Sequence, residues 1–302
     1  MKREIRFGSR ESELAQIQSK IVMDAIAKTH PERTLRLVTM STRGDLDQSR
    51  PLEGPNGGGR DFFTDTLEQA LLTGEVDLCV HSLKDMPDDY PADLPIFAYS
   101  TREDPRDALV LPKVAGCAGL NQDFSPVGCS SARRRLQLLN ILPELVFEPI
   151  RGNVPARIAK MDRGMYGSVV LAMAGLNRLG ISERASRIFS LAEMIPAAGQ
   201  GILAVQGRYG EDYSFLDAVA NPVSKQEAET ERAVLAALGC RLDSPSAAYA
   251  RIIGSEIMIL GMYAQDGASK PVSAQIRGNV VDTAFLIEDI AKRLTREVGE
   301  IA

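Results

Sequence analysis

Two rhythms alternate along the first two-thirds of the chain. Short runs at Ile5–Phe7, Leu35–Met40, Val76–Val80, Ser168–Met173 and Gly201–Val205 read as strands. Between them, Glu11–Lys28 places Leu14, Ile17, Ile21 and Ala25 on one helical face. Asp61–Leu72 predicts a second helix, with Gly74 closing it from the C′ position. Strand and helix in alternation predict parallel sheets covered by helices, an α/β class.

The last third changes character. Lys225–Leu238 predicts a helix ending at Gly239. Glu256–Ala264 and Pro271–Arg277 predict two strands joined through Asp266-Gly267, a hairpin signal. Asp282–Val298 predicts a final helix with Leu286, Ile290 and Leu294 on one face. A hairpin with flanking helices is an α+β module, so a boundary is expected near Ala220-Asn221-Pro222. One segment fits neither rhythm: Glu53–Arg60 carries four glycines and Pro55, which predicts a mobile loop over a site.

Composition narrows the function. At 302 residues the chain is long for one core and suits two or three domains. A net charge of −5 leaves the surface as a whole unattractive to nucleic acid or anionic lipid. The start, Met1–Arg6, has no apolar core of a secretory signal, and the apolar run Val169–Leu176 is far short of the roughly 20 residues that span a bilayer. The expectation is a cytoplasmic, soluble enzyme. Four scattered cysteines without a Cys-x-x-Cys pair, and two histidines, argue for reduced thiols and no metal site.

Candidate chemistry sits at four junctions where a strand ends and a basic residue follows small or polar ones. These are Gly8-Ser9-Arg10-Glu11-Ser12, His81-Ser82-Leu83-Lys84-Asp85, Gly128-Cys129-Ser130-Ser131-Ala132-Arg133-Arg134 and Arg151-Gly152-Asn153-Val154-Pro155-Ala156-Arg157. Ligands of open parallel sheets lie beyond the carboxyl ends of strands, where helix N-termini favour anions and arginine forks match carboxylates. From Ser131 to Lys160 there are six basic residues (Arg133, Arg134, Arg135, Arg151, Arg157, Lys160) against two acidic ones (Glu144, Glu148). A local excess of +4 in a protein of −5 points to an anion site, although Arg135 reads better as a solvated helix face. Neither a phosphate-cradling Gly-x-x-x-x-Gly-Lys-Ser/Thr loop nor a Gly-x-Gly-x-x-Gly after a strand is present, so carboxylates are favoured over nucleotides. Asp85 directly follows an apolar strand and could steady a cation or move a proton; a salt bridge or a turn cap is the plainer role. Cys240 follows a helix end and precedes Arg241, which suits either a covalent attachment point or a structural thiol.

Taken together, these segments resemble the hydroxymethylbilane synthase, or porphobilinogen deaminase, family. The resemblance rests on Gly8-Ser9-Arg10, Thr42-Arg43-Gly44-Asp45, His81–Asp85, Arg102-Glu103-Asp104-Pro105-Arg106-Asp107, Ser130–Arg134, Ile150–Val154, Ala174-Gly175-Leu176 and Pro196-Ala197-Ala198-Gly199-Gln200-Gly201. It implies two lobes like those of periplasmic binding proteins plus a small α+β domain. The implied division is 1–100 with 199–219, then 101–198, then 220–302. It implies a dipyrromethane cofactor held through a thioether to Cys240. It further implies a reaction that condenses four porphobilinogen molecules, with loss of ammonia, before hydrolysis releases the linear tetrapyrrole for heme biosynthesis. Asp85 is then the catalytic carboxylate. Ser82, Lys84, Ser130, Ser131, Arg133 and Arg134 contact the cofactor, and Arg10, Ser12, Arg151, Arg157 and Arg178 contact substrate. The expected protein is a monomer whose partner is the small-molecule substrate.

The chain departs from the family pattern twice. The loop before Phe62-Phe63 usually carries two lysines; here Arg60 stands for one and the other has no counterpart. Leu238-Gly239-Cys240 replaces a Gly-Gly-Cys run, the following proline is delayed to Pro245, and two extra residues precede Tyr249. Two other readings compete with the synthase: a binding protein of the periplasmic type, and a synthase-like paralogue that binds pyrroles without turnover.

Overall fold

A computed structural model describes residues 4–46, 61–87, 89–113, 124–240, 244–264 and 270–301. The glycine-rich segment with Arg60, Cys117, Arg241 and the Asp266-Gly267 turn lie outside the described residues. The chain divides into two compact units, Met1–Glu103 with Gly201–Gln226, and Asp104–Gln200 with Glu227–Ala302.

The first unit begins with β1 (Glu4–Arg10), α1 (Glu13–Thr29) and β2 (Thr34–Met40). They are followed by the one-turn α2 (Arg43–Leu46), α3 (Asp61–Leu72), β3 (Leu78–Ser82) and β4 (Ile96–Tyr99). The second unit holds β5 (Asp107–Val110), β6 (Val127–Gly128), α4 (Ala132–Ile141), β7 (Phe147–Glu148) and α5 (Val154–Asp162). Its lobe is completed by β8 (Ser168–Ala172), α6 (Met173–Arg178) and β9 (Arg187–Ile188). The chain then returns to the first unit as β10 (Leu203–Gly207). It ends with α7 (Pro222–Ala237), β11 (Ala247–Ile253), β12 (Glu256–Tyr263), β13 (Val272–Asn279) and α8 (Thr283–Ile301).

The two five-stranded sheets run in the orders β2-β1-β3-β10-β4 and β7-β6-β8-β5-β9. Strand for strand they share one plan. In each, three parallel strands are followed by one antiparallel strand next to the crossing between units, and a final strand pairs only with it. This is the α/β class expected, with two sheet-bearing lobes and a smaller three-stranded module. The sheets are mixed, however, and not wholly parallel. Gly201–Val205, read as one more parallel strand, is β10 and runs antiparallel to β3. An apolar run carries no direction, so its sequence does not distinguish the two.

Helix ends follow local chemistry. Ser12 caps α1 by accepting from the Ala15 amide at 3.4 Å, and Asn153 caps α5 by accepting from Ala156 at 2.9 Å. Four helices close through a left-handed glycine at Gly74, Gly164, Gly180 and Gly239. In each, two backbone bonds fold the next turn back over the helix end; for α7 these are Gly239 N–H to Ala236 O and Cys240 N–H to Leu235 O.

The C-terminal module forms its core from β11–β13, α8 and α7, with Val234, Leu235, Ile257, Ile259, Ile290 and Leu294 buried. Among the described residues its β11 is an edge strand, paired only with β12. Two fully buried glutamates one turn apart on α7 cover that edge. Glu227 accepts from the Ile252 amide and Glu231 from the Ala250 amide, each at 2.9 Å. The second oxygen of Glu231 accepts from the Gly199 amide at 2.7 Å. A spacing of four on a helix matches a spacing of two on a strand, about 6 Å against 7 Å, so alternate edge amides are satisfied without a further strand.

Candidate active site

In the first unit the sequence-predicted residues gather where parallel strands end. Arg10 is the last residue of β1, and Ser82 the last of the adjacent parallel β3. Ser12 begins α1, and Leu83–Asp85 form a single 3₁₀ turn directly after β3, which delivers Lys84 and Asp85, both half-buried, to the same end. Two residues fix this edge, Gln18 buried and Asp45 half-buried. Gln18 on α1 donates from Nε2 to Ser82 Oγ at 2.9 Å. Asp45 takes a forked pair from Arg10 through Nε (3.1 Å) and Nη2, and accepts from Thr42 Oγ1 at 2.7 Å. Burial works against the Asp45 carboxylate, but the bonds from Arg10 and Thr42 outweigh it and hold its pKa below the usual range. Arg10 is thus anchored to a carboxylate of the protein.

His81 sits one residue before Ser82, on the opposite face of β3, and is buried. Its Nε2 has no hydrogen-bond partner among the described residues. Burial lowers its pKa to about 4, with Gln206 and Asp85 pulling the other way and Arg10 adding to the drop. The imidazole is therefore neutral near pH 7.

The second unit repeats the arrangement at the ends of β6, β7 and β8. Ser130 follows β6 and exchanges bonds with Ile150, donating to its carbonyl at 2.8 Å and accepting from its amide at 3.0 Å. That pair ties the Ser130 loop to the Arg151 loop. Ser131 is the N-cap of α4 and uses no side-chain cap bond, which leaves its hydroxyl to other work. Arg151 is half-buried before Gly152, whose φ of 112° lets the chain turn into α5. The turn is braced by Arg157 Nε to Gly152 O at 2.7 Å and Lys160 Nζ to Arg151 O at 2.9 Å. Arg178 closes α6, half-buried.

Arg133 and Arg134 share one carboxylate of the protein. Both are buried and both bind Asp107, Arg133 through Nη2 at 2.8 Å and Arg134 through Nη2 at 2.7 Å. Asp107, Asp45, Gln18 and Gln200 are the residues that reading by junction missed. Asp45, Asp107 and Gln200 lie inside motif segments already singled out, which was their one signal; Gln18 had only a polar side chain within an apolar helix face.

Among the described cysteines, burial pushes the Cys79 and Cys129 thiols up, and both are enclosed. Cys240 is partly exposed, with Sγ 3.3 Å from Ser246 Oγ. It occupies the second position after the α7 cap, where its amide bond to Leu235 fixes its direction. A covalent group needs a reachable sulfur on a defined backbone, and among the described cysteines Cys240 meets both conditions.

The family described as "Porphobilinogen deaminase, dipyromethane cofactor binding domain" matches residues 5–215. The chain is 48% identical to the porphobilinogen deaminase of Acetivibrio thermocellus over 261 residues, 86% of this chain and 87% of that one. It is 41% identical to that of Ruminiclostridium josui over 292 residues, covering 97% and 98%. It is 36% identical to that of Roseiflexus castenholzii over 303 residues, covering 99% and 98%. Among solved structures, the substrate binding protein of an amino acid ABC transporter aligns with a TM-score of 0.37 at 15% identity, covering 75% of this chain and 94% of that one.

Proposed function

The chain belongs to the porphobilinogen deaminase family, and from that premise we propose how its own residues divide the work. It is a transferase, hydroxymethylbilane synthase. It condenses four porphobilinogen molecules head to tail onto a dipyrromethane cofactor, with loss of ammonia, and releases hydroxymethylbilane for tetrapyrrole and heme biosynthesis.

The bound cofactor supplies the pyrrole carbon onto which the chain grows. We assign its attachment to Cys240, and the observation that carries this is the exposure of that thiol on a backbone fixed by the Gly239 turn. In this reading Ser82, Lys84, Ser130, Ser131, Arg133 and Arg134 hold its carboxylates. Arg10, Ser12, Arg151, Arg157 and Arg178 face the acetate and propionate of incoming substrate. A guanidinium fork binds a carboxylate through two parallel charge-assisted bonds, which orients the ring as well as holding it.

Asp85 is the catalytic residue of this reading. As the carbon–nitrogen bond of porphobilinogen breaks, ammonia leaves with the electron pair and positive charge spreads over the pyrrole. A fixed carboxylate in a partly desolvated site opposes that charge better than water does. It also accepts from pyrrole N–H groups and keeps the reacting carbons aligned.

The three-part division, 1–100 with 199–219, 101–198 and 220–302, follows the same assignment. We place the enzyme in the cytoplasm as a monomer, with porphobilinogen as its partner. Among the described residues no helix is long and apolar enough to cross a membrane. Intact-mass measurement tests the whole reading: a covalent excess of two deaminated substrate units, lost in Cys240→Ser, is expected. A bare chain after incubation with porphobilinogen, with no turnover, would point to a non-catalytic paralogue.

A further inference from the structure

We infer that Asp107 is a positioning residue that sets the carboxylate-binding end of α4, an inference that rests on the reading of Arg134 as a cofactor contact. Asp107 opens β5 and is fully buried. Its Oδ2 accepts from Arg133 Nη2 at 2.8 Å. Its Oδ1 accepts from Arg134 Nη2 at 2.7 Å, Arg134 Nε at 3.2 Å and Gln200 Nε2 at 3.0 Å. One carboxylate thus gathers two adjacent arginines of α4 and the glutamine of the segment by which the chain leaves this unit.

The other contacts lock the same group. Arg133 Nη1 donates to Ile195 O at 2.6 Å and Arg134 Nη1 to Val170 O at 2.9 Å. Gln200 also donates to Pro105 O at 2.6 Å, and Gln137 of α4 exchanges bonds with Ile195. The first turn of α4 is therefore tied to β5, to β8 and to the 195–200 segment at once. Guanidinium does not deprotonate in proteins, so the cluster holds two positive charges and one negative. Two buried cations on neighbouring residues repel strongly in a low dielectric, and Asp107 is the counter-charge that keeps them together. The cluster then offers an anionic ligand the field of a single positive charge beside the N-terminus of α4 and Ser131, with geometry fixed in advance.

This separates two effects that usually travel together. Replacing Asp107 by Asn raises the local charge from +1 to +2. Charge alone would tighten binding of an anionic ligand. Loss of positioning would weaken it.

The experiment uses the full-length protein and Asp107→Asn, with cofactor content by intact mass, melting temperature, and KM and kcat for porphobilinogen at two salt concentrations. Expected are folded protein, a reduced loaded fraction, and in the loaded enzyme a KM raised about tenfold or more with a smaller change in kcat. A loaded fraction and KM equal to wild type, or a lower KM, would overturn the proposal. Should Asp107→Asn not fold, Gln200→Met removes one donor to the same carboxylate and keeps all three charges. A KM rise of about threefold supports positioning and an unchanged KM opposes it. Arg134→Leu distinguishes the premise. If it loads and turns over normally, the reading of Arg134 as a ligand contact fails; if it is defective while Asp107→Asn is normal, only the positioning role fails.

Discussion

Gln18 reaches across from α1 and donates to Ser82 Oγ at 2.9 Å, so a buried amide on a helix sets the hydroxyl at the end of a strand 64 residues away. Removing the donor frees that hydroxyl to rotate. Gln18→Leu is expected to lower stability by about 1 kcal/mol, the usual net worth of one such bond, and to raise KM several-fold with the fold intact. Urea unfolding and steady-state kinetics on the same preparation check both halves.

Gly239 adopts φ of 66°, and a Cβ there would meet nothing within 4 Å among the described residues. The cost of Gly239→Ala is therefore backbone strain alone, about 1–2 kcal/mol. Because the same turn directs Cys240, cofactor acquisition should slow more than stability falls. A time course of intact mass after mixing apoenzyme with porphobilinogen measures it; unchanged acquisition would show that the turn does not direct the sulfur.

Cys240→Ser should abolish the covalent mass excess, since a hydroxyl is a far weaker nucleophile near neutral pH. Cys79→Ser and Cys129→Ser should keep it, their sulfurs being enclosed. If the excess follows either buried cysteine instead, the attachment assignment is wrong.

At Asp85, Asn keeps the size and removes the charge, while Glu keeps the charge and displaces it. Turnover of Asp85→Asn should fall at least ~100-fold with binding retained, and Asp85→Glu should keep partial activity. Single-turnover ammonia release from loaded enzyme is the measurement. A wild-type rate in the Asn variant would move the catalytic role away from this carboxylate.

His81 carries a pH prediction. Its pKa is about 4 when folded, against about 6.5 for an exposed histidine. The unfolded chain therefore binds the extra proton first, and stability is lost as pH falls from about 6.5 to about 4. The difference corresponds to roughly 3 kcal/mol, added to whatever the carboxylates contribute. His81→Gln should flatten that part of the pH profile in urea unfolding from pH 7 to pH 4. A variant profile parallel to wild type would mean that His81 is not the titrating group.

Much of the fold was legible because it is local. The helices α1 and α3, the α8 face, the strands β1, β2, β12 and β13, and the caps at Gly74 and Gly239 follow from spacing and from residues that end helices. The α1 face does not: Ala15, Gln18, Ser19, Val22 and Ile26 are buried there, while Ile21 of the expected face is exposed. The two-residue strands β6, β7 and β9 are too short to show a period, and β11 went unread although it is seven residues long. At the candidate site, the junctions lie at the carboxyl ends of the strands. What they hid is where each guanidinium is directed. Arg133 and Arg134 look like free cations until Asp107, distant in sequence, is brought beside them. Pairing across 26 residues leaves no mark in the charge count of a window.

The strand order also bears on how the chain is made. β4 ends at Tyr99 and pairs only with β10, which starts at Leu203, so the first sheet waits for about a hundred further residues to leave the ribosome. At typical synthesis rates that delay lasts roughly 5 to 20 seconds. Throughout it, one side of β3 and all of β4 stand as open strand edges, the kind that recruit other chains. The interval is filled by the second lobe, whose β5 to β9 are contiguous in sequence and can close without help from either end. The order of completion during translation is thus reversed relative to the order of synthesis, and the nascent amino-terminal half is the client a chaperone would meet.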